Sequence, residues 1–361
     1  MVDAAAIRAE AGRLRAIFEA AGAQPVEADV LQPADTLLDL YGEDIRARAF
    51  VTDDPLRGEM ILRPDFTVPV VQMHLASGAA SARYVYSGTV FRQQPAGSER
   101  TAEYAQVGYE LFGGASPAED DAAVFALFLD VLKPFGLRAA TGDIGLLRAA
   151  VLGLSTSKAR KAALLRHLWR PRRFRALLDR FAGRTPISQT RRAILAEAQP
   201  IGPEMTEVGL RSRAEVEARL ETLRKDAADP PIDPAELQLL EDLLALRSTC
   251  AEALERLGAH AGKMASLAPA VDRFAARLEA LRGHGVAPEE LLFEASYGRT
   301  TLEYYDGFVF GFYAEGRDDL PPVATGGRYD ALTDVLGRGR GTAAVGGVIR
   351  PGLTAGLRGG A

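Results

Sequence analysis

Phe91-Arg92-Gln93-Gln94, a polar loop over residues 93–101, and then Gln106-Val107-Gly108-Tyr109-Glu110-Leu111-Phe112-Gly113 form the stretch on which the reading of this chain turns. Residues 83–91 and 106–112 alternate as strands do. A strand puts successive side chains on opposite faces, so Gln106, Gly108 and Glu110 share one face and Val107, Tyr109 and Leu111 the other. The polar set includes a glycine, which leaves room above the sheet, and Gln106 and Glu110 would both point into that room. The bland alternative is a solvated sheet face.

Working outward, Leu62-Arg63-Pro64-Asp65-Phe66-Thr67 precedes an apolar run at 69–75 that reads as a helix with proline near its start; alone, this is a turn capped by Asp65 or Thr67. Upstream, residues 4–21 read as an amphipathic helix with Ile7, Leu14, Ile17 and Phe18 on one stripe, ended at Gly22. Residues 26–31 read as a strand, and 50–51 with 60–62 as a hairpin around Asp53-Asp54-Pro55 and Gly58. Residues 120–132 read as a helix. From 155 to 284 the chain is rich in Ala, Leu, Arg and Glu at helical spacing, which predicts four to six helices and almost no strand. Strand patterns return at 291–293, 302–304 and 308–313, followed by a glycine-rich turn at Gly326-Gly327 and a helix over 329–336. Two β-rich blocks split by helices predict an α+β fold with a mostly antiparallel sheet. The divisions expected are a core over 1–154, a helical insertion over 155–286 and the rest of the core over 287–361.

The bulk properties set outer bounds. The chain has 361 residues, 47% hydrophobic and 25% charged, enough to bury a sizeable core. A net charge of −5 gives no overall field toward nucleic acid, and none is expected as a partner. Cys250 is the single cysteine, which fits a reducing compartment. The four histidines (His74, His167, His260 and His284) are scattered, and no metal or other cofactor is expected. The first 21 residues interleave charges with alanine and do not read as a signal peptide. The most apolar stretch, 122–132, is too short to span a bilayer. The expectation is a cytoplasmic protein without membrane contact. Residues 158–192 hold twelve Lys/Arg against Asp179, read either as a docking surface, a relic of RNA contact or a solvated face.

Taken together, five motifs resemble the catalytic core of histidyl-tRNA synthetase, a class II aminoacyl-tRNA synthetase. They are Asp65 to Thr67, Phe91-Arg92, Gln106 to Glu110, Leu302-Glu303-Tyr304-Tyr305-Asp306-Gly307, and Gly326-Gly327-Arg328-Tyr329-Asp330. They occur in the family's order, and the resemblance spans residue 1 to about 353. It implies a class II synthetase-like core flanked by helices, with a helical insertion. It also implies an L-histidine pocket: Asp65, Thr67 and Gln106 around the α-ammonium, Arg92 toward the carboxylate, Glu110 and Tyr305 on the imidazole, and Tyr304 and Tyr329 shaping the walls. The chemistry is consistent, since a neutral imidazole needs one donor and one acceptor and a buried ammonium needs an accepting cradle.

The departures from that family concern the triphosphate end. Gln94 stands where the family has a glutamate, and Thr300 where it has an arginine. Arg299 is one residue early, which on a strand would turn it to the other face. The motif 3 arginine position falls on Leu353, and Arg350-Pro351 is expected to disrupt the helix that motif uses. Losing one transition-state charge partner costs on the order of 3–4 kcal/mol, so no catalytic residue is assigned. Only residues 354–361 follow motif 3, so the family's anticodon-binding domain is expected to be missing. This combination resembles the regulatory subunits of ATP phosphoribosyltransferase. That resemblance implies a homodimer core, a short-form catalytic subunit as partner, and feedback by histidine in histidine biosynthesis. The alternatives are a truncated active histidyl-tRNA synthetase or another class II-like adenylating enzyme.

Overall fold

The computed structural model describes residues 2–41, 49–94, 97–98, 100–114, 116–197, 201, 211–299 and 304–359. In chain order it begins with α1 (Ala4–Ala20), β1 (Gln24–Pro25), β2 (Leu31–Pro33), α2 (Ala34–Tyr41), β3 (Val51–Asp54), β4 (Gly58–Leu62) and α3 (Thr67–Ser77). Then come β5 (Ala82–Phe91), β6 (Glu103–Phe112), α4 (Pro117–Leu132), β7 (Arg138–Asp143) and α5 (Ile144–Gly153). A helical series follows: α6 (Lys158–Arg166), α7 (Pro171–Phe181), α8 (Gln189–Ala196), α9 (Arg213–Ala228), α10 (Pro234–Ala245), β8 (Arg247–Thr249), α11 (Cys250–Ala261) and α12 (Ala268–Gly283). The chain closes with β9 (Leu292–Glu294), β10 (Phe308–Tyr313), β11 (Ala324–Arg328), α13 (Asp330–Leu336), β12 (Ala344–Ile349) and α14 (Pro351–Gly359).

The main sheet runs β1-β5-β6-β12-β11-β10-β7-β9-β8, and β2-β4-β3 form a small second sheet. Only β1–β5 and β7–β9 pair in parallel; the other neighbours are antiparallel. The α+β reading with a mostly antiparallel sheet therefore holds. The two β-rich blocks do share one sheet, because β12 from the end of the chain pairs with β6.

Alternation sorts the sheet into two faces. Behind it, Phe125 and Phe128 of α4 pack on Phe308, Phe310 and Phe312 of β10, and Phe18 of α1 lies 5.4 Å from Tyr109. Each such aromatic burial stabilises by roughly 1.5–3 kcal/mol. The front face carries Glu110 and Gln106 and is partly roofed by α3, whose His74 stacks on Phe112 at 4.3 Å.

Several expectations need correcting. Residues 26–31 are not one strand; β1 ends at Pro25 and β2 starts at Leu31. The segment 155–284 holds seven α-helices among the described residues, and it also lends β8 to the main sheet. Gly326-Gly327 is not a turn but the middle of β11. A Cβ on Gly326 would sit 2.3 Å from the Phe310 ring and 2.4 Å from the Gly346 carbonyl, so the glycines are there for close strand packing. Pro351 does not break the last helix. It opens α14 at a first-turn position where its missing N–H costs nothing. The sequence also gave no warning of β7. The expected strand at 302–304 and the Thr300 position lie largely outside the described residues, which resume at Tyr304.

Candidate functional site

All eight residues singled out from the sequence line one cavity: Asp65, Thr67, Arg92, Gln106, Glu110, Tyr304, Tyr305 and Tyr329. β6 brings Gln106 and Glu110, the start of α3 brings Asp65 and Thr67, and the end of β5 brings Arg92. Tyr304 and Tyr305 precede β10, and Tyr329 lies between β11 and α13. The wall contributed by β12 (Gly346, Gly347 and Val348) was not foreseen.

Glu110 is at the centre. Its Oε1 accepts from the Tyr86 hydroxyl at 2.9 Å and from the Thr67 hydroxyl at 3.2 Å; its Oε2 accepts from the Tyr329 hydroxyl at 2.5 Å. The Tyr304 hydroxyl in turn donates to Thr67 Oγ1 at 3.2 Å. These donors favour the charged carboxylate, but burial outweighs them and raises the Glu110 pKa to about 7. Burial raises Asp65 as well, against the pull of the Arg92 charge. Gln106 is 1% exposed, and its Oε1 has no hydrogen-bond partner. A buried acceptor left unmade costs about 1–3 kcal/mol, and this one lies among the cavity-lining residues.

Two glycines make the cradle possible. A Cβ on Gly346 would lie 1.7 Å from Glu110 Oε2, and one on Gly108 2.1 Å from the Tyr86 ring. Tyr86, which donates to the central Glu110 without being one of the lining residues, is a supporting residue that the sequence reading missed. It lies opposite Gly108 across the β5–β6 register, and that register depends on a loop whose length does not reveal it. Arg63, the first charged residue of the LRPD motif, is by contrast a brace: Nε donates to Thr89 O at 2.9 Å, and the guanidinium lies over Phe66.

The cavity is small, about 10 Å³, roughly the room for one water. A space of this size is too small for an amino acid as it stands. Tyr305 is tied to the helical segment, because Trp169 Nε1 donates to its carbonyl at 3.3 Å.

Arg299 is outside this cavity. It lies in a turn after β9 rather than on a strand, so the face-flip argument does not apply to it. It still points away: Nε donates to Leu168 O at 2.7 Å, and the guanidinium carbon lies 4.8 Å from the Phe174 ring centre. Burial lowers its pKa to about 10. Arg350 is closer to the site, beside Tyr104 and within electrostatic reach of Arg92.

Elsewhere, part of the basic run at 158–192 is answered by later acids. Arg160 reaches Asp226 at 2.8 Å, and Arg175 and Arg184 both reach Glu241 at 2.6 Å. No helix among the described residues is long and apolar enough to cross a membrane. Among the described residues no cluster of three or more His, Cys, Asp or Glu is placed to hold a metal ion.

The fold and the pocket together define a class II synthetase-like protein of the histidyl type. The profile of the histidyl-tRNA synthetase family matches residues 2–207 and 217–351. In fold, the chain is similar to the ATP phosphoribosyltransferase regulatory subunit/histidyl-tRNA synthetase of Bacillus halodurans. That match has a TM-score of 0.69 at 22% identity and covers 99% of this chain and 81% of that one. It is also similar in fold to the histidyl-tRNA synthetase of a Nostoc species, with a TM-score of 0.65 at 16% identity over 99% and 73% of the two chains. Proteins named ATP phosphoribosyltransferase regulatory subunit match more closely in sequence. The one from Brucella anthropi is 34% identical and that from Brucella canis 33%, each over 90% of both chains. The chain belongs to this histidyl-tRNA-synthetase-like family, on the branch of the ATP phosphoribosyltransferase regulatory subunits.

Proposed function

We propose that this chain is the non-catalytic regulatory subunit of an ATP phosphoribosyltransferase and that it senses free L-histidine, the end product of the pathway, in the Glu110 pocket. Glu110 and Tyr305 hold the imidazole, Asp65, Thr67 and Gln106 the ammonium, and Arg92 the carboxylate, with Tyr304 and Tyr329 as walls. The chain pairs with itself through its core, divided as 1–154 and 287–361 around the helical segment 155–286. It assembles with a short-form catalytic subunit in the cytoplasm.

The observation that carries this reading is the contrast within one cavity. Glu110 keeps a full set of hydroxyl donors and Gln106 keeps an unanswered acceptor, while Arg299 is engaged with Leu168 and Phe174 instead of the pocket. This set of groups suits an amino acid, and among the described residues the cations do not make a full set for a reacting triphosphate.

Calorimetric titration against the twenty amino acids tests the ligand, with histidine expected to bind best; a preference for another amino acid overturns the assignment. Histidine-dependent exchange of pyrophosphate with ATP tests the absence of chemistry, and robust exchange would establish an active synthetase instead. Assaying a short-form catalytic subunit with and without this chain and histidine tests regulation. The expected coupling is about 1–3 kcal/mol, a change of roughly 5–150-fold in apparent affinity.

A further inference from the structure

A second cavity opens behind the sheet and shares no lining residue with the Glu110 pocket. Its volume is about 440 Å³, in the range of about 300–1,000 Å³ typical of ligand sites. Residues of α4, α5 and α12, and the chain around 306–308 and 328–331, form its walls.

Two guanidiniums serve three of its carboxylates. Arg277 is shared by Asp121 and Asp143, and Arg328 by Asp121 and Asp330. Asp306 is a fourth acid in this lining, and among the described residues no guanidinium pairs with it. Its Oδ2 accepts from Ala331 N at 2.8 Å, and its Oδ1 has no hydrogen-bond partner among those residues. Burial, and after it the charge of Asp330, raises the Asp306 pKa to about 6; burial raises Asp121 to about 6 as well. The two arginines therefore do not offset the burial of this many carboxylates.

Further cations are present but stand apart. Arg148 of α5 and Arg273 of α12 line the same cavity, and both are exposed. Arg273 is four residues before Arg277, so the two share one face of α12. Among the described residues neither Arg148 nor Arg273 forms an ion pair; Arg148 is only within electrostatic reach of Asp306. Phe308, Ala149 and Leu152 add apolar wall. An acid with a free oxygen, two unengaged guanidiniums and apolar surface in one space suit a molecule that carries opposite charges on a short body.

We propose that this rear cavity binds a small zwitterion, whose ammonium meets Asp306 and whose oxyanion, a carboxylate or a phosphate, meets Arg148 and Arg273. The ammonium supplies the cation that Asp306 lacks, and the guanidiniums give the oxyanion charge-assisted hydrogen bonds. Nothing in this depends on what the Glu110 pocket binds.

The test is calorimetry on the full chain with four probes. γ-Aminobutyrate joins an ammonium to a carboxylate, and phosphoethanolamine joins one to a phosphate; ethanolamine and inorganic phosphate carry one end each. One zwitterion is expected to bind at least about tenfold more tightly than either one-ended probe, the worth of one hydrogen bond to a charged group, and which one it is identifies the oxyanion. Asp306→Asn, which keeps an acceptor for Ala331 N, should weaken that zwitterion about tenfold or more, and so should Arg148→Ala and Arg273→Ala. The proposal is overturned if neither zwitterion binds, or if a one-ended probe binds as tightly as both of them. It is also overturned by an affinity that survives Asp306→Asn, or that survives both arginine variants. Should Asp306→Asn not fold, the exposed Arg148 and Arg273 still decide.

Discussion

Two buried charge clusters lie on opposite sides of the same sheet and are built on opposite principles. Behind it, Asp121 of α4 takes Arg277 at 3.2 Å and Arg328 at 2.8 Å. Arg277 also holds Asp143 at 2.6 Å, and Arg328 holds Asp330 at 3.0 Å. Asp121, Asp143 and Asp330 each meet a guanidinium, while Asp306 accepts from Ala331 N at 2.8 Å, and a cavity of about 440 Å³ opens beside them. In front, Glu110 has only neutral hydroxyl donors and Gln106 has an unanswered oxygen. The rear cluster answers most of its own charges, Asp306 excepted, whereas the front one leaves its demands for something else to meet. The size of a cavity is therefore a poor guide here, since much of the unmet chemistry lies in the smaller space. The two clusters are also neighbours in sequence: Tyr305 and Tyr329 face the front cavity while Asp306 and Asp330 line the rear one.

The largest effect is expected behind the sheet. Arg277→Ala strands Asp143 and leaves Asp121 with Arg328 alone, and should cost about 3–5 kcal/mol, read as a large fall in Tm. A Tm within a degree or two of the native chain would show that the rear cluster is not structural. In front, Glu110→Ala should weaken histidine binding by about a hundredfold or more, the worth of a buried charged partner. The chain should stay folded, because the cost of leaving the Tyr86, Tyr329 and Thr67 hydroxyls without that acceptor is offset in part by removal of a carboxylate that burial disfavours. Unchanged affinity would remove Glu110 from the recognition site.

The pH response sharpens the contrast further. Burial raises the Glu110 pKa to about 7. The folded state then binds a proton that the unfolded chain releases at lower pH, so stability declines from about pH 4.5 to pH 7 and stays reduced above it. Glu110→Gln removes that loss and should stabilise the ligand-free chain by about 2–3 kcal/mol at pH 8 and by little at pH 4. Denaturant midpoints at the two pH values measure it; equal shifts at both would mean that Glu110 is not held in this protonated state. The smallest effect belongs to Arg299→Met. Its guanidinium is buried against Phe174, so loss of the charge should change stability by less than about 1 kcal/mol and leave histidine affinity as it is. A clear loss of affinity would place Arg299 in the site after all.

Much of this was legible without coordinates. The period-two alternation of 106–112 put Gln106 and Glu110 on one face, and the resemblance to histidyl-tRNA synthetase implied that Asp65, Thr67, Arg92, Tyr304, Tyr305 and Tyr329 share a pocket with them, as they do. Tyr86 was not legible, because the Tyr86–Gly108 pairing depends on register across the hairpin. Gly326-Gly327 was read as a turn because glycine pairs usually are one; the cause, the Phe310 ring and the Gly346 backbone, comes from strands that are remote or only later in the chain. Pro351 was read as a helix breaker because proline is judged by its neighbours, whereas here it stands at a helix start.

By itself the sequence determined the alternation that puts Gln106 and Glu110 on one face and the main helix-rich and strand-rich blocks, because local periodicity and spacing are written residue by residue. Only the tertiary structure decided which charges answer one another. Arg277 and Arg328 close on Asp121 behind the sheet, Arg299 turns to Leu168, and Arg350 comes within electrostatic reach of Arg92. Charge pairing is set by distance and burial between residues tens to hundreds of positions apart, and no local pattern encodes it.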